Sequence, residues 1–270
     1  MNISTEKHDA FQVSRLNYGE QAFQVGDLFV PETGGLHPIV LLLHGGFWRA
    51  QYGFDQLIAL SEHLASQGIA VWNIEYRRVG NANGGWPTTL LDVAQAVDYL
   101  PTIASSFALD LHRSVIVGHS AGGQLALWVA ARHRLPATSQ LAASQPPRFP
   151  FRAVISLAGA GDLEQTWQLQ SGGGATAEFL GGSPTEYPER YALASPARLL
   201  PLGVPQILLH GTQDQRLPLE VSQAYAAKAA AAGDEVQLLE IAGADHFALI
   251  NPHSAAWAVA EREMKKRLTI

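Results

Sequence analysis

The sequence contains no cysteine, which excludes thiol catalysis, disulfide bonds and zinc sites built on cysteine ligands. Charged residues are scarce, at 16% of the 270 residues, and no long run of lysine or arginine marks a nucleic-acid-binding surface. No stretch approaches the roughly 18 uninterrupted apolar residues of a membrane-spanning helix. Residues 1–10 carry charged side chains such as Glu6 and Lys7 and lack the apolar segment of a signal peptide. These absences predict a cytoplasmic protein that neither spans a membrane nor binds nucleic acid.

Apolar residues, in contrast, make up 47% of the chain, which is enough for a large hydrophobic core. Short apolar runs alternate with segments of helical periodicity along most of the sequence. The predicted strands are a hairpin over 11–18 and 22–30, followed by 38–43, 69–74, 114–117, 153–157, 205–209 and 236–241. The predicted helices are 54–67, 88–104, 124–133, 219–232 and 255–268. This alternation predicts one α/β domain over residues 1–270, with a mostly parallel central sheet and helices on both faces.

Two segments interrupt the alternation of strands and helices. Residues 135–150 contain four prolines and little periodicity, which predicts a loop. Residues 161–202 are longer and include three consecutive glycines and four aromatic residues. Because long connections inside a compact domain are usually functional, residues 161–202 are predicted to form a cap over the functional site. The alternative is a surface insertion that makes no contact with a substrate.

The central motif of the chain is Gly-His-Ser-Ala-Gly at 118–122, between the predicted strand at 114–117 and the predicted helix at 124–133. This context is typical of a nucleophile elbow, in which a sharp turn holds a serine above the end of a sheet. The flanking glycines allow such a turn, and the first N–H groups of the following helix point toward the same place. Ser120 is therefore the candidate nucleophile.

A second motif, His-Gly-Gly-Phe-Trp at 44–48, follows the predicted strand at 38–43 directly. Two adjacent glycines allow the backbone N–H groups of a loop to point at a developing oxyanion. In an elbow architecture, one such N–H comes from this loop and another from the residue after the nucleophile. The candidate oxyanion-hole residues are Gly45, Gly46, Phe47 and Ala121.

An acid and a base follow late in the chain, each after a predicted strand. Asp214 lies in the loop after 205–209, and His246 lies in the loop after 236–241. The chain order Ser120, Asp214, His246 is the nucleophile, acid, base order of this architecture. In that arrangement the acid orients the imidazole, and the imidazole takes the proton of the serine.

Three other residues compete for these roles. Asp162 is the rival acid, since it follows the predicted strand at 153–157. His253 is the rival base, but it lies further along, after a proline and near the start of the last helix. Asp245 is predicted to form hydrogen bonds within its own loop.

Together these motifs resemble those of the α/β-hydrolase fold family, and the resemblance covers most of the chain from about residue 11 onward. The His-Gly-Gly-x-Trp form at 44–48 is similar to the loop of kynurenine formamidases. Glu75-Tyr76-Arg77 is similar to a Tyr-Arg element of esterases related to hormone-sensitive lipase. Phe47 stands where the longer form of that esterase loop has a third glycine. The resemblance implies the α/β-hydrolase fold and esterase-type chemistry.

The combined pattern predicts a serine hydrolase that cleaves a small carboxylic ester or an activated amide through an acyl-enzyme, with no metal or organic cofactor. An arylformamidase is the narrower alternative, with Trp48, Trp86 and Trp167 as candidate walls of the substrate pocket. Ordinary core packing is the competing role of these aromatic residues. A non-catalytic protein that binds a small molecule on the same fold is the alternative of a different class. No feature of the sequence specifies an oligomeric state.

Overall fold

A nine-stranded sheet forms the centre of the computed structural model, which describes residues 4–142 and 151–270. The strands are β1 (Ser4–Lys7), β2 (Phe11–Asn17), β3 (Val25–Pro31), β4 (His37–Leu43), β5 (Ala70–Ile74), β6 (Leu109–His119), β7 (Ala153–Leu157), β8 (Gln206–Gly211) and β9 (Val236–Ile241). Their order in the sheet is β1-β2-β3-β5-β4-β6-β7-β8-β9. Strands β4 to β9 pair in parallel, and β1 to β3 form an antiparallel extension that joins at β5. The prediction of a mostly parallel sheet is confirmed.

Helices cover both faces of this sheet, as the sequence predicted. They are α1 (Ile58–Ser66), α2 (Thr88–Ile103), α3 (Ala121–Ala131), α4 (Leu163–Gln168), α5 (Ala175–Leu180), α6 (Pro188–Ala194), α7 (Leu219–Ala231) and α8 (Ala255–Leu268). Along β4, Leu41 faces the core that contains α2, α3 and α7, while Leu42 faces the core that contains α1 and α8. Alternate side chains of one strand thus enter two separate apolar layers, which explains its uninterrupted hydrophobic sequence.

The structure differs from the predicted elements mainly at their ends. The strand predicted at 114–117 is the last part of β6, which begins at Leu109 and pairs with β4 across a shift of register after Pro38. The helix predicted at 54–67 begins with a 3₁₀ turn, and the short strand β1 was not predicted. Residues 143–150 of the predicted loop lie outside the described residues. None of the described helices has the length and apolar content needed to cross a bilayer.

Residues 161–202 fold into the short helices α4, α5 and α6 and pack beside the loop after β4. The ring of Phe179 stacks on Trp48, with centroids 4.8 Å apart and planes 6° from parallel. Arg49 and Glu178 form two hydrogen bonds of 2.7 and 2.8 Å. This segment therefore contacts the loop that carries the candidate oxyanion residues.

Candidate active site

Ser120 lies on the turn between the end of β6 and the start of α3, where the sequence placed it. Its backbone has φ 56° and ψ −119°, a region that residues with a side chain rarely adopt. The turn is tight, because a Cβ at Gly122 would lie 2.1 Å from the carbonyl oxygen of Leu43. The Ser120 N–H donates to the carbonyl of Leu157 at 2.8 Å, which fixes the turn to β7. Strain held by its surroundings in this way is typical of a functional residue.

Asp214 holds the imidazole of His246. The His246 Nδ1–H donates to Asp214 Oδ2 at 2.5 Å. The other carboxylate oxygen, Oδ1, accepts the backbone N–H groups of Arg216 at 2.8 Å and Leu217 at 2.9 Å. Because a carboxylate only accepts, the proton of a neutral His246 lies on Nδ1, which leaves Nε2 free to act as a base.

A second histidine, His210, also contacts Asp214. Its Nε2–H donates to the Leu217 carbonyl at 2.9 Å and lies 3.2 Å from Asp214 Oδ2. Its Nδ1 accepts the hydroxyl of Ser222 at 2.8 Å. Burial raises the pKa of Asp214, but the hydrogen bonds from His210 and His246 outweigh burial and hold this pKa far below its usual range. Asp214 is therefore ionised at neutral pH although its side chain is fully buried.

Ser120 and His246 line the same cavity, which has a volume of about 120 Å³. Its lining residues are Gly46, Phe47, Tyr52, Gln56, His119, Ser120, Arg216, His246 and Phe247. In the described structure no hydrogen bond joins the Ser120 hydroxyl to His246. Catalytic hydrogen bonds are often long or poorly aligned before substrate binds, so the shared cavity is the relevant observation.

Three backbone N–H groups around this cavity have no protein acceptor among the described residues. They belong to Gly46 and Phe47, in the loop after β4, and to Ala121, the first residue of α3. The neighbouring Gly45 packs directly against the serine, because a Cβ there would lie 2.9 Å from Ser120 Cβ. Free N–H groups in this loop and on the residue after Ser120 are the donors from which an oxyanion hole is built.

Buried polar contacts with residues that follow β5 stabilise the loop after β4. His44 Nε2 and Glu75 Oε1 lie 3.0 Å apart, and the Tyr76 hydroxyl donates to the His44 carbonyl at 2.7 Å. The rings of His44 and Tyr76 also stack, with centroids 4.3 Å apart. An ion pair also joins Glu75 to Arg78 at 3.1 Å. Glu75 and Tyr76 therefore support this loop from the end of β5, whereas Arg77, the third residue of the element noted in the sequence, pairs with Asp92.

His119 is a further residue of the site that sequence reasoning did not single out. Its Nε2–H donates to the carbonyl of His246 at 3.0 Å, and its ring centroid lies 4.5 Å from that of His246. Burial, together with the nearby charge of His246, lowers the pKa of His119 to about 3. The neutral, buried imidazole of His119 thus connects the residue before the candidate nucleophile to the backbone of the candidate base.

The rival residues have other contacts. Asp162 caps α4 by accepting the N–H groups of Glu164 and Gln165, and it pairs with Lys228. Asp245 accepts two backbone N–H groups of its own loop, which confirms that prediction. His253 is exposed and lines a separate surface cavity.

The three tryptophans proposed as pocket walls do not line the cavity beside Ser120. Trp48 is only 1% exposed, because its ring stacks on Phe179 and its indole N–H donates to Gln124 Oε1 at 3.0 Å. The prediction that Trp48 forms a wall of the substrate pocket is therefore wrong for this cavity. Trp86 and Trp167 are partly buried and pack against the same core. No residue of 161–202 lines this cavity either, although a Cβ at Gly172 would meet the ring of Phe47.

Sequence reasoning also missed four cavity residues, Tyr52, Gln56, Arg216 and Phe247. Tyr52, Arg216 and Phe247 lie in loops without periodicity, and Gln56 lies in the 3₁₀ turn at the start of the predicted helix 54–67, where no motif marked it. Arg216 and Phe247 are close in sequence to Asp214 and His246, and that proximity is the only available signal. Within residues 4–142 and 151–270, no group of three or more His, Asp or Glu side chains is arranged to hold a metal ion.

Comparison with known proteins gives relatives of limited identity. Probable isoprenylcysteine alpha-carbonyl methylesterase ICMEL1 of Oryza sativa subsp. japonica is 27% identical over 224 residues, which cover 77% of this chain and 50% of that protein. Esterase LipC of Mycobacterium tuberculosis is 26% identical over 243 residues, which cover 86% and 59%. Kynurenine formamidase avaC of Aspergillus versicolor is 28% identical over 223 residues, which cover 69% and 74%. The chain thus spans 50% to 59% of the length of the first two relatives.

Solved structures of similar fold cover nearly the whole chain. A truncated form of a carbohydrate esterase from gut microbiota has a TM-score of 0.82 at 18% identity and covers 99% of this chain and 100% of that one. Esterase B from Lactobacillus rhamnosis has a TM-score of 0.79 at 20% identity and covers 96% and 84%. The model of the BD-FAE family matches residues 27–229. The chain has the α/β-hydrolase fold, and it belongs to the BD-FAE family.

Proposed function

We propose that this protein is a serine hydrolase that cleaves small carboxylic esters through an acyl-enzyme. Ser120 attacks the carbonyl carbon, and His246 Nε2 takes the hydroxyl proton as the bond forms. Asp214 stabilises the resulting imidazolium, since its buried carboxylate remains ionised and hydrogen-bonded to Nδ1. The observation that carries the proposal is the strained Ser120 turn in one cavity with a His246 ring that Asp214 orients.

The N–H groups of Ala121 and of Gly46 or Phe47 hold the oxyanion of the tetrahedral intermediate. The protonated His246 then gives its proton to the leaving alcohol, and the carbon–oxygen bond to that alcohol breaks. Water attacks the acyl-enzyme in the second half of the reaction, with His246 again as the base. No metal or organic cofactor takes part in this proposal.

The size of the cavity favours a short acyl group. Its volume of about 120 Å³ is well below the roughly 300 Å³ at which sites for drug-sized ligands begin. Phe47 forms part of its wall, and Gly172 packs behind that ring. We therefore propose that residues 161–202 act as a cap by positioning Phe47, and so limit acyl length indirectly.

A series of p-nitrophenyl esters from acetate to octanoate tests this function. We expect turnover to be fastest with the shortest acyl groups and to be lost in Ser120→Ala, which keeps the wild-type fold by circular dichroism and thermal unfolding. Removal of a nucleophile of this kind reduces kcat by about 10⁴- to 10⁶-fold. Retention of more than a tenth of the wild-type rate would contradict the assignment of Ser120.

Hydrolysis of aryl formamides is the second candidate. It is supported by the similarity to a kynurenine formamidase, by the small acyl cavity and by the aromatic residues Phe47, Tyr52 and Phe247 around it. Parallel measurement of kcat/KM for phenyl acetate and N-formylaniline separates the two candidates. A non-catalytic binding protein would turn over neither compound, and its Ser120 would not react with a fluorophosphonate.

A further inference from the structure

Among the residues that line the Ser120 cavity, Arg216 is the one arginine or lysine. None of the lining residues is Asp or Glu. The Arg216 side chain is exposed, and its guanidinium makes no hydrogen bond or ion pair with any described residue. Most described arginines instead pair with a carboxylate, as Arg49 does with Glu178 and Arg77 does with Asp92. An unpaired guanidinium at the entrance to an active site is available to a ligand.

We propose that Arg216 binds a carboxylate on the substrate, so that the preferred substrates are esters or amides that carry this group. The inference rests on the proposed hydrolase function and names the substrate class for the same site. A guanidinium matches the two oxygens of a carboxylate with two parallel N–H donors. Because the whole chain has a net charge of −6, attraction of an anion to this cavity depends on a local positive group.

The backbone fixes the position of Arg216 relative to the chemistry. Its N–H donates to Asp214 Oδ1 at 2.8 Å, and the other oxygen of that carboxylate accepts a hydrogen bond from His246 Nδ1–H. Asp214 does not neutralise the guanidinium, since all its recorded partners are the two backbone N–H groups and the two histidines. The carboxylate that orients the base thus also anchors the residue that carries the free cation.

The other residues at the entrance indicate the chemical character of the part of the substrate that joins its carboxylate to the scissile bond. Phe47, Tyr52 and Phe247 line the same cavity, and Phe247 is 50% exposed although it is a large apolar residue. Exposed aromatic side chains beside a catalytic group are suited to contact a flat or apolar part of a ligand. We therefore assign to this site aromatic esters or amides with a carboxylate on the leaving group.

The test uses two substrates that differ at one ring substituent, the carboxylate of 4-acetoxybenzoate and the neutral amide of 4-acetoxybenzamide, and Arg216→Gln corrects for their different intrinsic reactivities. We expect the wild type to prefer the anion in kcat/KM on the order of tenfold, the range for a charge-assisted hydrogen-bonded pair. The preference is expected to disappear in Arg216→Gln, remain in part in Arg216→Lys, and reverse in Arg216→Glu. It should also decrease as salt is added, because the guanidinium is exposed to solvent.

Arg134→Gln is the matched control. Arg134 is another exposed arginine that pairs with no residue in 4–142 or 151–270, and it lies beyond the end of α3 that is far from Ser120. This variant is expected to keep the wild-type preference. Inhibition by benzoate, but not by benzamide, is a second test, with 4-acetoxybenzamide as the substrate. It measures binding of a carboxylate directly, and it does not require the anionic ester to be aligned for hydrolysis.

The failures of the two proposals are distinguishable. Equal kcat/KM for both esters in the wild type and in Arg216→Gln, with no inhibition by benzoate, would overturn the carboxylate site and leave the hydrolase function intact. Absence of ester hydrolysis and of fluorophosphonate labelling at Ser120 would overturn both.

Discussion

Replacement of Asp214 by asparagine tests the geometry of the site most sharply, because the structure fixes the orientation of the new amide. Asp214 Oδ1 accepts the backbone N–H groups of Arg216 and Leu217, at 2.8 and 2.9 Å. In Asp214→Asn the amide oxygen must stay with these two donors, since an NH₂ group there would face N–H groups. The NH₂ group therefore points at His246 Nδ1.

That orientation reverses the tautomer of His246. A donor opposite Nδ1 requires an unprotonated Nδ1, so the proton moves to Nε2, the atom that must accept the proton of Ser120. In the Ser-His-Asp arrangement the wrong tautomer costs about 10⁴-fold in kcat. At about 1.36 kcal/mol for each factor of ten, this loss corresponds to about 5.4 kcal/mol of transition-state stabilisation.

Steady-state hydrolysis of p-nitrophenyl acetate measures the loss, and thermal unfolding verifies the fold. Asp162→Asn is the matched control, because Asp162 is also a buried aspartate but it caps α4 and pairs with Lys228. We expect it to change kcat by less than about tenfold. If Asp214→Asn retained more than a hundredth of the wild-type kcat, or if Asp162→Asn caused the larger loss, the assignment of the acid would be refuted.

Three further predictions concern the groups around Ser120, Asp214 and His246. Gly45→Ala places a Cβ 2.9 Å from Ser120 Cβ, so we expect it to displace the oxyanion loop and reduce kcat by about 10²- to 10³-fold, with little change in KM. Glu75→Gln weakens the contact to His44 and is expected to lower kcat in the same assay, and unchanged kinetics would argue against support of the loop by Glu75. The third uses the pKa of His119, which burial lowers from 6.5 to about 3. Between these values the unfolded chain holds a proton that the folded protein excludes, so stability is full above about pH 6.5 and is lost as pH falls. From about pH 7.5 to about pH 5, urea unfolding should show a loss about 2 kcal/mol larger in the wild type than in His119→Gln, and equal losses would contradict the neutral, buried state.

Much of the architecture was predictable from the sequence. The apolar run that forms β4 is typical of a strand buried on both faces, and parallel strands collect polar loops at their carboxyl ends. Because of that rule, the sequence alone predicts that the loops carrying Ser120, Asp214 and His246 lie near each other. Asp214 was chosen as the candidate acid from the motif around it and from the chain order Ser120, Asp214, His246.

Side-chain directions within loops were not predictable in the same way. Phe47 and Trp48 are adjacent and both have positive φ, yet Phe47 lines the cavity and Trp48 lies in the core. Loops lack the periodicity that assigns a residue to a face, so the tryptophan in the motif gave no information on which side it would lie. The 3.2 Å contact of His210 Nε2 with Asp214 likewise depends on the path of the turn between them.

The central claim, that Ser120 is an activated nucleophile, is tested most directly by fluorophosphonate labelling followed by peptide mapping. We predict one label per chain, located on Ser120, with no label in Ser120→Ala and much slower labelling in His246→Ala, since the proton acceptor is missing. Loss of label in Ser120→Ala together with unchanged thermal unfolding would exclude a folding defect as the cause. Label on another residue, or an unreactive Ser120 in a protein that still hydrolyses esters, would contradict the account.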